Sequence, residues 1–444
     1  MNAPAHHSTH AATTTSQHTA AAPSATPSAW PIEHIRRCFP GLGRLHHNRP
    51  VAFFDGPAGS QVPESVADAV ANYLKFTNCN RGAAFATARE SDAILNAAHQ
   101  TVADFLNADD PNCVIFGPNM TSLTLHLAHA LSQTWKPGDE ILVTQLDHDA
   151  NVSPWVLAAQ QAGATVRHAP INIADGTLDH AAWKNLLCER TRFAAIGYAS
   201  NATGTINPVK DMVALAKHAG ALTFIDAVHY APHGRLNVRE LQCDFLACSA
   251  YKFFGPHEGI LWGRRELLES LRPWKLRPAP NTLPGRWMTG TQSHEAIAGT
   301  AAAIEYLAGI SAWLPRNSLP PNPSRSQKLD AVFNHLVNYE RNLSTLFIEG
   351  LKTVPGIRIH GIQDVHRVSE RVPTFSWTFP DITPRHAAEL LAEQGLCVWN
   401  GNAYALPFTE ATQLEPNGVI RAGALHYNTP EEIQTLIHAL HTLR

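Results

Sequence analysis

Short apolar runs recur between residues 113 and 261, and each closes on small or polar residues. They include Cys113-Val-Ile-Phe116, Ile141-Leu-Val143, Phe193-Ala-Ala-Ile196, Thr223-Phe-Ile-Asp226 and Phe245-Leu-Ala-Cys248. None alternates with polar positions, which is the pattern of strands buried on both faces. Segments with helical spacing lie between or beside them, at 90–106, from Thr121 onward and at 210–220. Strand, helix and strand joined by short loops predict a mostly parallel sheet with helices on both faces. Ligands of such sheets gather at the carboxyl ends of the strands. From about Leu329 helices again alternate with strands such as Thr374-Phe-Ser-Trp-Thr-Phe379, after a proline-rich loop at 318–326. A chain of 444 residues is too long for one compact core. The pattern therefore divides into a large α/β domain at 29–295 and a smaller α+β domain at 296–444. Residues 1–28 hold no Asp, Glu, Lys or Arg and little to bury, so they read as a disordered tail.

Composition narrows the function classes. Lys and Arg number 34 against 37 Asp and Glu, a formal net charge of −3, so the basic excess of a nucleic-acid binder is missing. No apolar stretch is read as a membrane span, and the tail lacks the basic start and apolar core of a signal peptide. The 7 cysteines form no C-x-x-C pair and no cysteine–histidine zinc spacing. They read as reduced thiols of a cytosolic protein, and no metal site is expected. Histidines such as those of Leu125-His-Leu-Ala-His129 read as packing or surface residues.

The candidate chemistry sits at two strand ends. Phe245-Leu-Ala-Cys-Ser-Ala-Tyr-Lys252 places an amine where a buried run stops. A snorkelling lysine is the plain alternative. Desolvation penalises the charged form, however, and leaves a nucleophile for aldehydes. Upstream, Asp226 closes another apolar run. An amine that condenses with an aldehyde and a carboxylate that can hold a pyridinium nitrogen are the pair that pyridoxal 5'-phosphate (PLP) requires. The turn Gly117-Pro-Asn119-Met120-Thr121 opens a helix, and free N–H groups at a helix start suit a phosphate. Thr121 is expected both to cap that helix and to offer its hydroxyl to the anion.

Asp226-Ala-Val-His229 followed by Ser249-Ala-Tyr-Lys252 resembles the class V aminotransferase family, and most of all its cysteine desulfurase-like members. The resemblance runs from about Phe53 to the C-terminus and implies the PLP-dependent transferase fold, type I. It implies that Lys252, His148 and Asp226 are catalytic. Met120, Thr121, Ser249 and Tyr251 would hold the phosphate, and His148 would stack on the pyridine ring. Asp147 and Asp149 flank that histidine and are expected to raise its pKa. Asn201 and His229 would lie near the phenolic oxygen of the cofactor. Thr291 would reach the phosphate of a neighbouring subunit, which implies a homodimer. Arg421 would pair with the carboxylate of a small amino-acid substrate, a bidentate role that suits a guanidinium. The segment Asp55-Gly-Pro-Ala-Gly-Ser-Gln61 would approach the substrate end, although an ordinary turn explains it equally. The chain departs from the family in having Asn119-Met120 for glycine–threonine, His229 for glutamine and Tyr251 for histidine.

The further departure concerns mechanism. Cysteine desulfurases carry a loop cysteine within Gly-His-His-Cys-Ala-x-Pro, and the corresponding run here is Gly401-Asn-Ala-Tyr404-Ala-Leu-Pro407. A phenol carries no persulfide. The nearest thiol, Cys397, lies in the apolar run Leu396-Cys-Val-Trp399, where burial would disfavour its thiolate. The expected function is therefore a PLP-dependent C–S lyase working by β-elimination, with Tyr404 at the substrate. Transamination and epimerisation stay open, as does a non-catalytic module with this fold.

Overall fold

The computed structural model describes Met1 and residues 30–443, so the expected tail lies outside the described residues but for Met1. Seven strands build the main sheet. They are β1 (Val114–Gly117), β2 (Glu140–Thr144), β3 (Thr165–Ala169), β4 (Thr191–Gly197), β5 (Leu222–Asp226), β6 (Phe245–Ser249) and β7 (Gly259–Gly263). Their order is β1-β7-β6-β5-β4-β2-β3. Every pairing is parallel except those of β7, which runs antiparallel to β6 and to β1. All residues of β1, β2 and β6 are buried, which is why those runs show no alternation. The edge strand β3, Thr165-Val-Arg-His-Ala169, is mostly exposed and correspondingly polar.

The reversal of β7 has a local use. Its first residue, Gly259, pairs with the last residues of both neighbours, Gly117 and Ser249. A Cβ at Gly259 would fall 2.3 Å from the backbone carbon of Asn119. Only glycine lets the turn after β1 settle against the sheet there.

Helices cover the sheet: α1 (Glu64–Asn72), α2 (Ala86–Leu106), α3 (Met120–Ser132), α4 (Ser153–Ala162), α5 (Val209–His218) and α6 (His294–Gly309). Helix α6 packs on α1 and α2. The stretch His294–Trp313 has the length and hydropathy of a membrane span, contrary to the sequence reading, but 61% of it is buried inside the fold. Its apolar faces are satisfied by α1, α2 and the long α7 (Arg325–Thr353).

A second sheet contains β8 (Arg358–His360), β9 (Thr374–Thr378), β10 (Trp399–Gly401) and β11 (Val419–Gly423). Its order is β8-β9-β11-β10, antiparallel throughout. The run Leu396–Trp399, read from sequence as one strand, divides. Leu396–Cys397 pairs in parallel with Ala52–Phe53, and β10 begins at Trp399 in the other sheet.

The two sheets meet at the turn Ser200–Gly204. Arg371, 4% exposed, donates to the carbonyls of Ile362, Thr203 and Thr374, and its guanidinium lies 3.6 Å from the Phe375 ring centroid. Ser376 Oγ donates to the Ala202 carbonyl at 2.6 Å. Gly204 has φ +79°, and a Cβ there would lie 2.5 Å from the Thr374 oxygen. Alanine at a left-handed position without space strains both backbone and packing. Gly204→Ala is therefore expected to cost more than about 2 kcal/mol, read as a lowered thermal midpoint. An unchanged midpoint would show that this junction yields freely.

Candidate active site

The chain places most of its predicted site residues around one cavity at the carboxyl ends of β1, β2, β4, β5 and β6. Met120, Thr121, His148, Asn201, Asp226, His229, Ser249, Tyr251 and Lys252 line it. Arg421, Tyr404 and Thr291 do not line it.

Lys252 ends a short turn, Ala250–Lys252, directly after β6. Burial pushes its amine down to about 7, helped by the Arg421 guanidinium and opposed by Asp226 and Asp55. The amine donates to the Pro57 carbonyl. Near neutral pH it is therefore partly a free base, unlike an ordinary lysine.

Asp226, the last residue of β5, accepts from the Val228 N–H at 2.9 Å. Burial raises its carboxyl to about 6, against the pull of that N–H and of Lys252. A second buried acid, Asp147, read from sequence only as a neighbour that would raise His148, stands nearby. It accepts from Gly197 N–H at 3.1 Å and from Asn151 Nδ2 at 2.8 Å. Burial first, and then the Asp226 charge, push Asp147 up to about 8. At neutral pH the pair thus holds one proton on Asp147 and leaves Asp226 the anion. Gly197 makes room for this acid, since a Cβ would meet Asp147 Oδ1 at 2.4 Å.

His148 departs from expectation. Its imidazole is pushed down to about 4 by burial and by the Lys252 and Arg421 charges, not raised by its neighbours. The reason lies in where those neighbours point. Burial, and then the Asp226 charge, raise Asp147, and Asp149 turns away to accept from Ser153 Oγ at 2.7 Å. His148 Nδ1 accepts from the Ala150 N–H at 3.0 Å, so the neutral ring carries its proton on Nε2.

The end expected to take the phosphate is a helix start. Asn119, not Thr121, caps α3, its Oδ1 accepting from Ser122 N–H at 2.9 Å. Asparagine reaches the third N–H from its own extended backbone, whereas Thr121 is already inside the first turn. Ser249 Oγ accepts from the Met120 N–H at 3.0 Å. Thr121 is exposed to the cavity mouth, with hydroxyl and N–H unpartnered among the described residues. Tyr251 stacks on His257, with ring centroids 5.0 Å apart.

At the other end, Arg421 on β11 is 4% exposed and donates to the Asn201 carbonyl at 2.9 Å. Asn201 Nδ2 in turn donates to the Ala403 carbonyl at 2.8 Å. The next residue, Tyr404, has φ +57° and stacks its exposed ring on His148 at 5.5 Å and 21°. Its carbonyl accepts from the Asp149 N–H at 2.7 Å. Asp55, left undecided from sequence, faces this end; burial raises it to about 6 while Arg421 and Lys252 pull it down. His229 is 4% exposed, and its Nε2 bonds to Thr374 Oγ1 at 3.0 Å. Thr291 is exposed, away from the cavity.

The family profile described as Aminotransferase class-V matches residues 52–313 and 329–436. The chain belongs to the class-V aminotransferases. It is 32% identical to a probable cysteine desulfurase of Streptomyces coelicolor, covering 94% of this chain and 98% of that protein. It is 30% identical to a cysteine desulfurase of Pectobacterium atrosepticum, covering 93% and 98%. The structure of the cysteine desulfurase CsdA from Escherichia coli matches with a TM-score of 0.78 at 27% identity, covering 93% and 98%. A C-DES mutant with glycine covalently linked to its PLP cofactor shares the fold, with a TM-score of 0.73 at 19% identity, covering 91% and 98%.

As a class-V aminotransferase of the cysteine desulfurase-like kind, the protein is a PLP enzyme of fold type I. Its cavity fits that cofactor. A depressed amine, a buried anion, a flat neutral imidazole and an open helix start line one space. Asp55 Oδ1, Asn201 Oδ1 and Arg421 Nε are buried without partners around its substrate end, where a polar ligand would satisfy them. When bound, PLP supplies an electron sink for a carbanion at the substrate Cα. With the group in place, Lys252 would be the base for the Cα proton, Asp226 would be the anion available to the ring nitrogen, and Arg421 would be the donor for a carboxylate.

The depressed amine sets a pH dependence. A lysine whose folded value falls to about 7 is uncharged above that pH. Capture of PLP by apoprotein, followed by its visible absorbance, should accelerate as pH rises toward 7 and level off beyond. A rate still climbing in proportion to hydroxide up to the range of an ordinary lysine would contradict the buried-amine account.

Proposed function

We propose that this enzyme breaks a carbon–sulfur bond of a cysteine-derived amino acid by β-elimination, without a protein thiol. The loop over the cavity carries the reading. Asn402–Ala405 is fastened by Asn201 and Asp149, and it presents the Tyr404 ring against His148. None of the seven cysteines lines the cavity. Cys397 lies in the Ala52–Phe53 strand pair, and burial raises its thiol further from a thiolate.

Without a nucleophile to accept sulfur, the Cβ–S electrons must leave with sulfur itself. Lys252 removes the Cα proton, the Cβ–S bond breaks toward sulfur, and an enamine results. Once released, the enamine takes up water to give pyruvate and ammonia, with no net oxidation. A sulfoxide leaves as a stabilised sulfenate anion and so suits this elimination, whereas a sulfinate departs as sulfur dioxide with the bonding electrons kept on Cβ, which gives alanine instead of pyruvate. Arg421 supports an α-carboxylate substrate, and its unpartnered Nε is the donor left for it.

The same reading takes the working unit to be a homodimer in the cytosol. The exposure of Thr291, outside its own cavity, supports a role at a second copy's phosphate. Transamination is the second reading, favoured by 31% identity to an aminotransferase-like protein of Gibberella zeae that covers 93% of this chain.

The test gives holoenzyme L-cysteine, cysteine sulfinate and an S-alkyl cysteine S-oxide separately, and measures pyruvate, alanine and sulfide. Pyruvate in step with the released sulfur product, and unchanged in Cys397→Ser, is the expected result. Alanine formed from cysteine with a persulfide on Cys397 would overturn it. Stoichiometric amino-group transfer to a keto acid would establish the second reading instead.

A further inference from the structure

A cluster of His46, His47 and Glu393 lies outside the lining of the cavity. The N-terminal hairpin pairs Leu45–His46 with Arg49–Pro50 through a two-residue turn. His47 and Asn48 hold that turn with φ of 47° and 61°. Two left-handed residues in succession give the tight reversal that hairpins favour, usually made with Asn and Gly. Histidine in the first place is an uncommon choice and brings consecutive imidazoles together. The His46 and His47 ring centroids are 4.1 Å apart at 65°.

The hairpin packs on the end of the helix Pro384–Ala392. Its next residue is Glu393, and Gly395 follows with φ +76°, its ideal Cβ position 3.5 Å from His46 Cβ. One donor atom each from His46, His47 and Glu393 lies within 4.8 Å of the other two. His46 Nε2 is shielded from solvent and has no hydrogen-bond partner. His47 and Glu393 are exposed, so their side chains can rotate inward.

We propose that His46, His47 and Glu393 form a binding site for a divalent transition-metal ion, with zinc as the best fit. Two neutral imidazoles and one carboxylate are a common zinc donor set, leaving a fourth position for water. Zinc–ligand bonds of about 2.0–2.2 Å place tetrahedral donors roughly 3.4 Å apart. Contraction from the present spacing needs only the two exposed side chains. The ion would satisfy the orphaned Nε2 and tie the hairpin to the 393–395 turn. That turn is already joined to the strand entering the cavity, since Ala52 N–H donates to the Gly395 carbonyl at 2.9 Å.

The spacing of these residues hides the site from sequence, because Glu393 lies nearly the whole chain away. The test uses chelator-treated, full-length holoenzyme titrated with zinc ion by equilibrium dialysis, beside His46→Ala, His47→Ala and Glu393→Gln. His6, His7, His10 and His18 are common to all four proteins, so any zinc they bind cancels in the comparison. The wild type should bind one equivalent more than His47→Ala or His46→Ala, and at least tenfold tighter than Glu393→Gln at that site. Zinc should raise the thermal midpoint of the wild type alone. The bound cofactor's absorbance in each variant checks that the fold is kept, and the two exposed positions carry the result even where His46→Ala folds poorly. Equal uptake by all four proteins, or none by any, overturns the proposal.

Discussion

Withdrawing one amine from water is the constraint around which this molecule is arranged. An ammonium ion at Lys252 would be costly, and the fold offsets that cost by leaving the group near its neutral form. Charges cluster about it in opposition, with Asp226 and Asp55 on one side of the balance and Arg421 on the other. Such a cluster needs walls that contribute no competing hydrogen bonds. Parallel strands supply them, because their buried faces are apolar and their polar character is concentrated at the ends. The reversed strand β7 completes the wall by bringing a glycine, with no side chain, to the place where the phosphate turn must lie.

The acids at the pyridine end show how burial divides labour between similar groups. Asp147 and Asp226 are both carboxylates removed from water, yet they do not carry the same charge at neutral pH. Both keep N–H partners, but only Asp226 has Lys252 close by, while Asp147 bears burial and the charge of Asp226. At His148 burial again decides, with the Lys252 and Arg421 charges in support, and the ring remains neutral and flat-faced.

Much of this was legible from the chain because order and strand ends coincide. Lys252, Asp226 and the 120–121 turn each follow an apolar run, and the topology brings the ends of such runs together. The charge on His148 was not legible, since proximity in sequence says nothing of where Asp149 points. Thr121 read as a cap because its type suits one, but Asn119 occupies the extended position where capping geometry works. Asp55 was named only as part of a segment and Asp147 only as a neighbour of His148, and the surroundings of both arise from what the fold buries beside them. Arg371 gave no signal at all. It is a cation satisfied by carbonyls from three separate segments, a pattern that exists only once both sheets are in place. The division of Leu396–Trp399 escaped for a related reason, as an apolar run does not state how many sheets it serves.

Asn201 touches two things at once. Its backbone oxygen accepts a hydrogen bond from Arg421, and its side chain donates to the carbonyl just before Tyr404. The group that would recognise a substrate's carboxylate and the loop that decides the fate of its side chain therefore hang from one residue. Neither can shift without strain reaching the other. A change of loop chemistry, such as phenol for thiol, is for that reason never a single-site event in this architecture. It reaches Arg421 through Asn201, so the loop and the guanidinium behind it form one coupled unit.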